Sequence, residues 1–165
     1  LGPILRLIQK DYAEDLKARQ LTLEIDPGIN DIPPIRADSE LLQKALDNVV
    51  VNAVKFTPDG GSIHVSAAVV NGERGDVCEI RVKDSGIGIN DADKEMIFEK
   101  LYQVGKVELH SSGRTKFKGG GPGLGLAIAA GIVKAHQGRI WAESPGCDEE
   151  KLPGSTFIVQ IPLAK

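Results

Sequence analysis

Asp84-Ser85-Gly86-Ile87-Gly88-Ile89 places a carboxylate at the end of a predicted strand and follows it at once with two glycines. The residues before it, Cys78-Glu79-Ile80-Arg81-Val82-Lys83, alternate apolar and polar with β-branched content. They read as a half-buried strand that delivers Asp84 to the sheet edge. A carboxylate there can accept hydrogen bonds from an exocyclic amine, while Gly86 and Gly88 leave room for a flat ring. Asp-x-Gly-x-Gly is also an ordinary turn, so the company it keeps decides between the two readings.

Working outward, the segment from Ser39 to about Lys55 predicts a helix that Asp38 or Ser39 can cap with a side-chain oxygen. Leu42, Ala45, Leu46, Val49, Ala53 and Phe56 fall within an arc of about 100° and form a core face. Asn48, Asn52 and Lys55 make an adjacent stripe at i, i+4 and i+7. Asparagine is a mediocre helix former, so two stacked amides need a reason. A solvated flank is one. An oxygen-ligand site for Mg²⁺ with a lysine ready for phosphate is the other, since Mg²⁺ takes oxygen ligands and keeps several waters.

Towards the N-terminus, Ile4 to Arg19 has helical spacing, and Leu21 to Ile25 alternates as a strand closed by Asp26-Pro27-Gly28. Ser62 to Val70 and Asp76 to Lys83 predict a hairpin around Asn71 to Gly75. Asp91 to Glu99 reads as a short helix. From Gly105 to Gly121 periodicity disappears, and Lys106, Arg114, Lys116 and Lys118 sit among serines and glycines. A basic, glycine-rich loop of this length inside a compact domain is usually functional or disordered. The glycine run then opens a helix, Leu124 to His136, whose N-terminus would offer free N–H groups to an anion. Gly138 to Glu143 and Ser155 to Pro162 predict the last strands.

The chain has 165 residues and a formal net charge of −3 with both signs interspersed, which makes one domain the expectation and nucleic acid a poor partner. Cys78 and Cys147 have neither CxxC spacing nor a secreted disulfide pattern, and read as a core thiol and a loop thiol in a reducing compartment. The longest apolar run, about Leu124 to Val133, falls short of the roughly 20 residues of a membrane span. The chain begins at Leu1, and is expected to be a piece of a longer protein.

Familiar nucleotide fingerprints fail. There is no GxxxxGK[ST], and GxGxxG started at Gly121 meets Leu126, or at Gly86 meets Asp91, where the third glycine belongs. Signatures of the eukaryotic protein kinases are also missing. What remains is an ordered set: Asn48-x3-Asn52-x2-Lys55-Phe56, Asp84-x-Gly86-x-Gly88, Ile97-Phe98-Glu99, Gly121-x-Gly123-Leu124-Gly125-Leu126, then Gly154-Ser155-Thr156-Phe157. In order and spacing it closely resembles the N, G1, F, G2 and G3 boxes of the catalytic ATP-binding domain of bacterial sensor histidine kinases. That superfamily is shared with gyrase B, heat-shock protein 90 and MutL, and the resemblance covers nearly the whole chain.

The resemblance implies an α+β fold, a two-layer α/β sandwich of the Bergerat type with a mixed sheet of about five strands under three helices, and a single domain over 1–165. It implies ATP and Mg²⁺ as cofactors. Asp84 would receive the adenine amine, with Gly86, Gly88 and Ile89 framing the base and Thr156 supporting the pocket through Asp84. Asn52 would ligate Mg²⁺, with Asn48 one turn behind. Lys55 would contact phosphate and Phe56 would pack near ribose and adenine. Backbone around Gly121, Gly123, Leu124, Gly125 and Leu126 would hold the phosphates, and Gly105 to Gly121 would be a mobile ATP lid.

Two departures stand out. Leu101 and Gln103 occupy positions where the family usually has Phe and Arg, which puts the rate of transfer in question. One of Lys106, Arg114, Lys116 and Lys118 could substitute for that arginine. Pro122 replaces the usual Thr or Ser, removing a hydroxyl and an N–H donor. Asn48 stands where ATPases of the same fold carry a glutamate base, and a neutral amide takes no proton, which favours phosphoryl transfer over hydrolysis. The family's phosphorylated histidine lies on a dimerising hairpin upstream. His64, His110 and His136 lack that context and read as structural. The expected partners are therefore ATP, the phosphoacceptor hairpin and a response regulator, with no nucleic acid, no membrane contact by this domain, a cytoplasmic setting and a monomeric state. A degenerate nucleotide-binding regulatory module and an ATPase of the superfamily are the alternatives.

Overall fold

The computed structural model describes residues 1–103, 115–118 and 123–164. Four helices, α1 (Gly2–Asp11), α2 (Ala13–Ala18), α3 (Ser39–Phe56) and α4 (Gly125–Ala135), accompany five strands, β1 (Thr22–Ile25), β2 (Ser62–Gly72), β3 (Gly75–Asp84), β4 (Arg139–Glu143) and β5 (Ser155–Pro162). The sheet order is β1-β2-β3-β5-β4. β1 runs parallel to β2 and every other pairing is antiparallel, which makes the sheet mixed, as expected. β3 is thus the central strand rather than an edge, and Asp84 lies at its end.

Strand alternation sends Ile63, Val65, Cys78, Ile80, Val82, Phe157, Val159 and Ile161 to the helix-covered side, where all are buried. α3 meets them with Leu42, Ala45, Leu46, Val49 and Ala53, joined by Val50 and Val54, which a narrower reading of its core face leaves out. Each fully buried Leu or Val contributes about 1.5–3 kcal/mol relative to exposure. Phe56, expected on that face, is only half-buried, because it comes at the helix's last position. The open choice of cap falls to Asp38, whose Oδ1 accepts the N–H groups of Glu40 and Leu41 at 3.0 Å each.

Two expected helices differ. The Ile4 to Arg19 helix breaks at Tyr12, where φ is −101° and ψ 7°, and the Tyr12 hydroxyl donates to Asp47 on α3 at 2.8 Å. Between Asp91 and Glu99 only Met96–Phe98 is helical, as a single 3-10 turn. Lys94 pairs with Asp91 at 2.5 Å, a spacing a helix also allows, and the Tyr102 hydroxyl donates to Asp93 at 2.6 Å, tying this turn to the segment that follows.

His136 is structural, as its sequence context suggested. Its Nδ1–H donates to the Ile132 carbonyl at 2.8 Å, and its Nε2 accepts the Asp38 N–H at 3.1 Å. The ring therefore ties the end of α4 to the start of α3. His64 projects from β2 and is exposed. His110 lies outside the described residues.

Candidate functional site

Asp84 is 4% exposed, and its carboxylate is held from both sides. Oδ1 accepts the N–H groups of Gly86 at 2.9 Å and Ser155 at 3.2 Å, while Oδ2 accepts the Ser155 hydroxyl at 2.7 Å. Burial raises its pKa, opposed by the bonds from Ser155 and Gly86. Ser155, not Thr156, is the residue that supports Asp84. The register pairs Asp84 with Ser155 and Lys83 with Thr156, and one step along a strand turns a side chain to the other face.

The glycines beside Asp84 also have a different use from the one expected. A Cβ at Gly86 would stand 2.3 Å from the Phe56 carbonyl oxygen, and one at Gly88, where φ is +79°, would stand 1.9 Å from that of Gly146. The room they leave is filled by protein backbone, not left for a flat ring. The Ile87 N–H donates to the Phe56 carbonyl at 3.1 Å, and the Ile87 carbonyl accepts from Asp148 at 2.8 Å. Gly86 accepts the Gly154 N–H at 2.9 Å, and Ile89 donates to the Ser144 hydroxyl oxygen at 3.0 Å. Asp84 to Ile89 is therefore stitched to the end of α3 on one side and to the 144–154 loop on the other. Ser144 lies outside every motif because it acts through loop closure, and Ser155, though inside the Gly154–Phe157 box, is singled out from Thr156 only by strand register.

From this loop the site continues along α3. Phe56 and Lys55 are half-buried neighbours, with Lys55 Nζ 5.3 Å from the Phe56 ring centroid. Desolvation lowers the Lys55 pKa. Asn52 and Asn48 follow, both half-buried. Asn48 reaches the far end, since its Oδ1 lies 3.3 Å from where a Gly125 Cβ would sit. Gly125 opens α4, whose N-cap residue Leu124 supplies no side-chain bond to the first-turn N–H groups. Leu126 is buried beneath that turn. The stripe from Asn48 to Phe56 covers nine residues, eight steps and about 12 Å of helix.

Gly123 has φ +68°, and its carbonyl accepts the Leu101 N–H at 3.0 Å, so the segment after Phe98 docks directly on the glycine run. Leu101 itself has φ +63° and is 71% exposed. Gly121 and Pro122 lie outside the described residues, as do Lys106, Arg114 and most of the expected lid. Of the lid, Thr115 to Lys118 are described, and the Lys118 ammonium is paired with Glu149. Among the described residues no cluster of three or more His, Cys, Asp or Glu could hold a metal. Two clefts lie elsewhere, one by Arg6 and Asp26, the other by Gln43 and Asp47 on α3, and neither gathers the residues of this stripe.

One helix thus links a buried strand-end carboxylate to the open end of a second helix, the layout of an ATP-binding domain. Residues 37–165 match the family described as histidine kinase-, DNA gyrase B-, and HSP90-like ATPase, and the chain belongs to it. Within that family its relatives are sensor kinases. It is 43% identical over 110 residues to the sensor histidine kinase WalK of Bacillus subtilis, covering 67% of this chain and 16% of WalK. It is 32% identical over 162 residues to the adaptive-response sensory kinase SasA of Synechococcus elongatus, covering 98% of this chain and 37% of SasA. The chain therefore spans well under half the length of these relatives. The catalytic domain of histidine kinase ThkA superposes with a TM-score of 0.72 at 25% identity, over 99% of this chain and 92% of that one. The chain is an ATP-binding catalytic domain of the sensor histidine kinase type, and its two-layer fold is the expected one. Among the described residues no helix is long and apolar enough to cross a membrane.

Proposed function

We propose that the chain binds Mg-ATP along α3 and presents the γ-phosphoryl group to a histidine on a separate dimerisation hairpin, within a protein that signals to a response regulator. The observation that carries this reading is the placement of the α3 stripe between Asp84 and the start of α4. Among the described residues Oδ2 of Asp84 has one partner, the Ser155 hydroxyl, and it keeps acceptor capacity for the adenine amine. Gly86, Gly88 and Ile89 shape the loop against which the base lies, and Phe56 packs near the ribose. Phosphates then run towards Gly121, Gly123, Leu124, Gly125 and Leu126, where free N–H groups and the helix dipole favour negative charge. A phosphate beside Lys55 offsets the desolvation of its ammonium.

The amide oxygen of Asn52 suits a hard cation that keeps most of its waters, and the lack of a carboxylate cluster among the described residues fits a metal that arrives with the phosphates. Bound Mg²⁺ would neutralise charge on the transferring group. Asn48, beside Gly125, is a neutral amide that orients without taking a proton from water, so transfer is favoured over hydrolysis.

Calorimetric titration with a non-hydrolysable ATP analogue, with and without Mg²⁺, tests the site. Binding that depends on Mg²⁺ and weakens at least tenfold, about 1.4 kcal/mol, in Asp84→Asn is expected. Absence of binding by the wild type would overturn the reading. A supplied helical hairpin bearing the acceptor histidine tests transfer. Labelled hairpin is expected, whereas free phosphate without hairpin labelling would point to an ATPase.

A further inference from the structure

Arg19, one residue beyond α2, spends its guanidinium on two jobs. Nη1 donates to the Val54 carbonyl at 2.6 Å and Nη2 to that of Thr57 at 2.5 Å, while Nε pairs with the Asp59 carboxylate at 2.8 Å. Those carbonyls lie where α3 ends and helical partners run out, so the planar fork of Arg19 serves as a C-terminal cap supplied from a distant segment. This side chain is only 11% exposed.

The second job has no part in capping. Nη1 also donates to the Thr115 carbonyl at 2.7 Å, 96 residues further along, and the guanidinium carbon lies 6.0 Å from the Phe117 ring centroid. The same short segment is fastened twice more. Lys118 N–H donates to the Lys55 carbonyl at 2.9 Å, and the Lys118 ammonium pairs with Glu149. Glu149 belongs to the loop whose Asp148 N–H bonds Ile87. Thr115 to Lys118 therefore runs from the α2 side, over the end of α3, to the loop that backs Asp84.

We propose that Arg19 is a positioning residue that latches Thr115–Lys118 across the Phe56 end of the nucleotide site and so sets how fast bound nucleotide leaves. This rests on the ATP reading above. The bonds to Val54 and Thr57 hold α3 whether the strap is fastened or not. Those to Thr115 and Phe117 form or break together, and a charge-assisted bond plus a ring contact hold the fastened state by about tenfold or more in population.

Hydrogen exchange on the nucleotide-free chain, with stopped-flow release of a fluorescent ATP analogue, separates the two jobs. Phe117→Ala removes the ring contact and leaves the cap of α3 intact, Arg19→Gln removes both, and Asp59→Asn removes only the outer ion pair. Phe117→Ala and Arg19→Gln are each expected to speed exchange at Lys116 to Lys118 by about tenfold, with β3 and β5 amides unchanged, and to speed analogue release more than association. Asp59→Asn is expected to match the wild type in both. Phe117→Ala with wild-type exchange and release would overturn the latch. So would Arg19→Gln leaving exchange at Lys116 to Lys118 and analogue release at the wild-type values, since Arg19 would then serve only the cap of α3. If the wild type binds no analogue, the nucleotide reading fails, and exchange at Lys116 to Lys118 still decides whether Arg19 fastens the strap.

Discussion

The Ser155 hydroxyl donates to Oδ2 of Asp84 at 2.7 Å across the β3–β5 pairing, and the Ser155 N–H reaches Oδ1 of the same carboxylate at 3.2 Å. Both oxygens of a buried acid are thus placed by one residue of the neighbouring strand. Burial still dominates and raises the Asp84 pKa, so the folded state holds this proton more tightly than the unfolded chain does. The sign follows: Asp84's contribution to stability is fully present below its unfolded value of 3.8 and is lost as pH rises through the higher folded value. At neutral pH the ionised group destabilises the fold, a cost that the proposed contact with the adenine amine would account for. Asp84→Asn is expected to raise the melting temperature at pH 7 relative to wild type, with the gain shrinking at pH 4, while lowering nucleotide affinity at least about tenfold. Melting curves at the two pH values check the first part. A variant less stable than wild type at pH 7 would contradict it.

Gly88 and Gly131 make opposite predictions from the same substitution. Gly88→Ala puts a methyl against the Gly146 carbonyl at a positive φ, and should cost about 3 kcal/mol in urea unfolding from strain and overpacking together. Gly131 lies inside α4 with nothing within 4 Å of its would-be Cβ. Gly131→Ala should gain about 0.5–1 kcal/mol, because alanine is the better helix former.

Asn52→Ala removes the amide oxygen proposed to ligate Mg²⁺ and little else, since Asn52 is half-buried on the flank of α3. Affinity for the ATP analogue in the presence of Mg²⁺ should fall about tenfold, and affinity in chelator should stay at the wild-type value. An equal loss in both conditions would remove Asn52 from the metal.

His136→Ala deletes the acceptor for the Asp38 N–H and the donor to Ile132 at once. The expected cost is about 1–2 kcal/mol in unfolding free energy. Nucleotide affinity should not change, because the ring lies at the end of α4 remote from Asn48. A selective loss of binding would give this histidine a role beyond the fold.

Much of this was readable along the chain because the signals are local. The core face of α3 follows from its 3.6-residue period, and β2, β3 and β5 follow from alternation ended by glycine and proline. Box order also points to the closeness of Asn48 to Gly125 at the start of α4, which the proposed nucleotide site uses. Ser155 could not be told from Thr156, because only strand register decides which of two adjacent hydroxyls faces Asp84. The room at Gly86 and Gly88, expected to serve a flat ring, is taken by the backbone oxygens of Phe56 and Gly146. The helix expected from Asp91 shrinks to the single turn Met96–Phe98, and the Asp91–Lys94 pair, at a spacing a helix also allows, does not explain the loss. Arg19 carried no motif at all, since its partners lie 35 to 96 residues away.

The stitching of Asp84 to Ile89 bears on inhibitor resistance. A compound anchored on the Asp84 carboxylate meets a wall whose amides and carbonyls bond Phe56, Asp148 and Gly154 and whose glycines admit no side chain. A cell that altered this wall to shed the compound would lose the folded domain along with it. Escape substitutions should accordingly gather at half-buried side chains of the proposed site, such as Phe56 and Ile89, where shape can change while the backbone stays as it is.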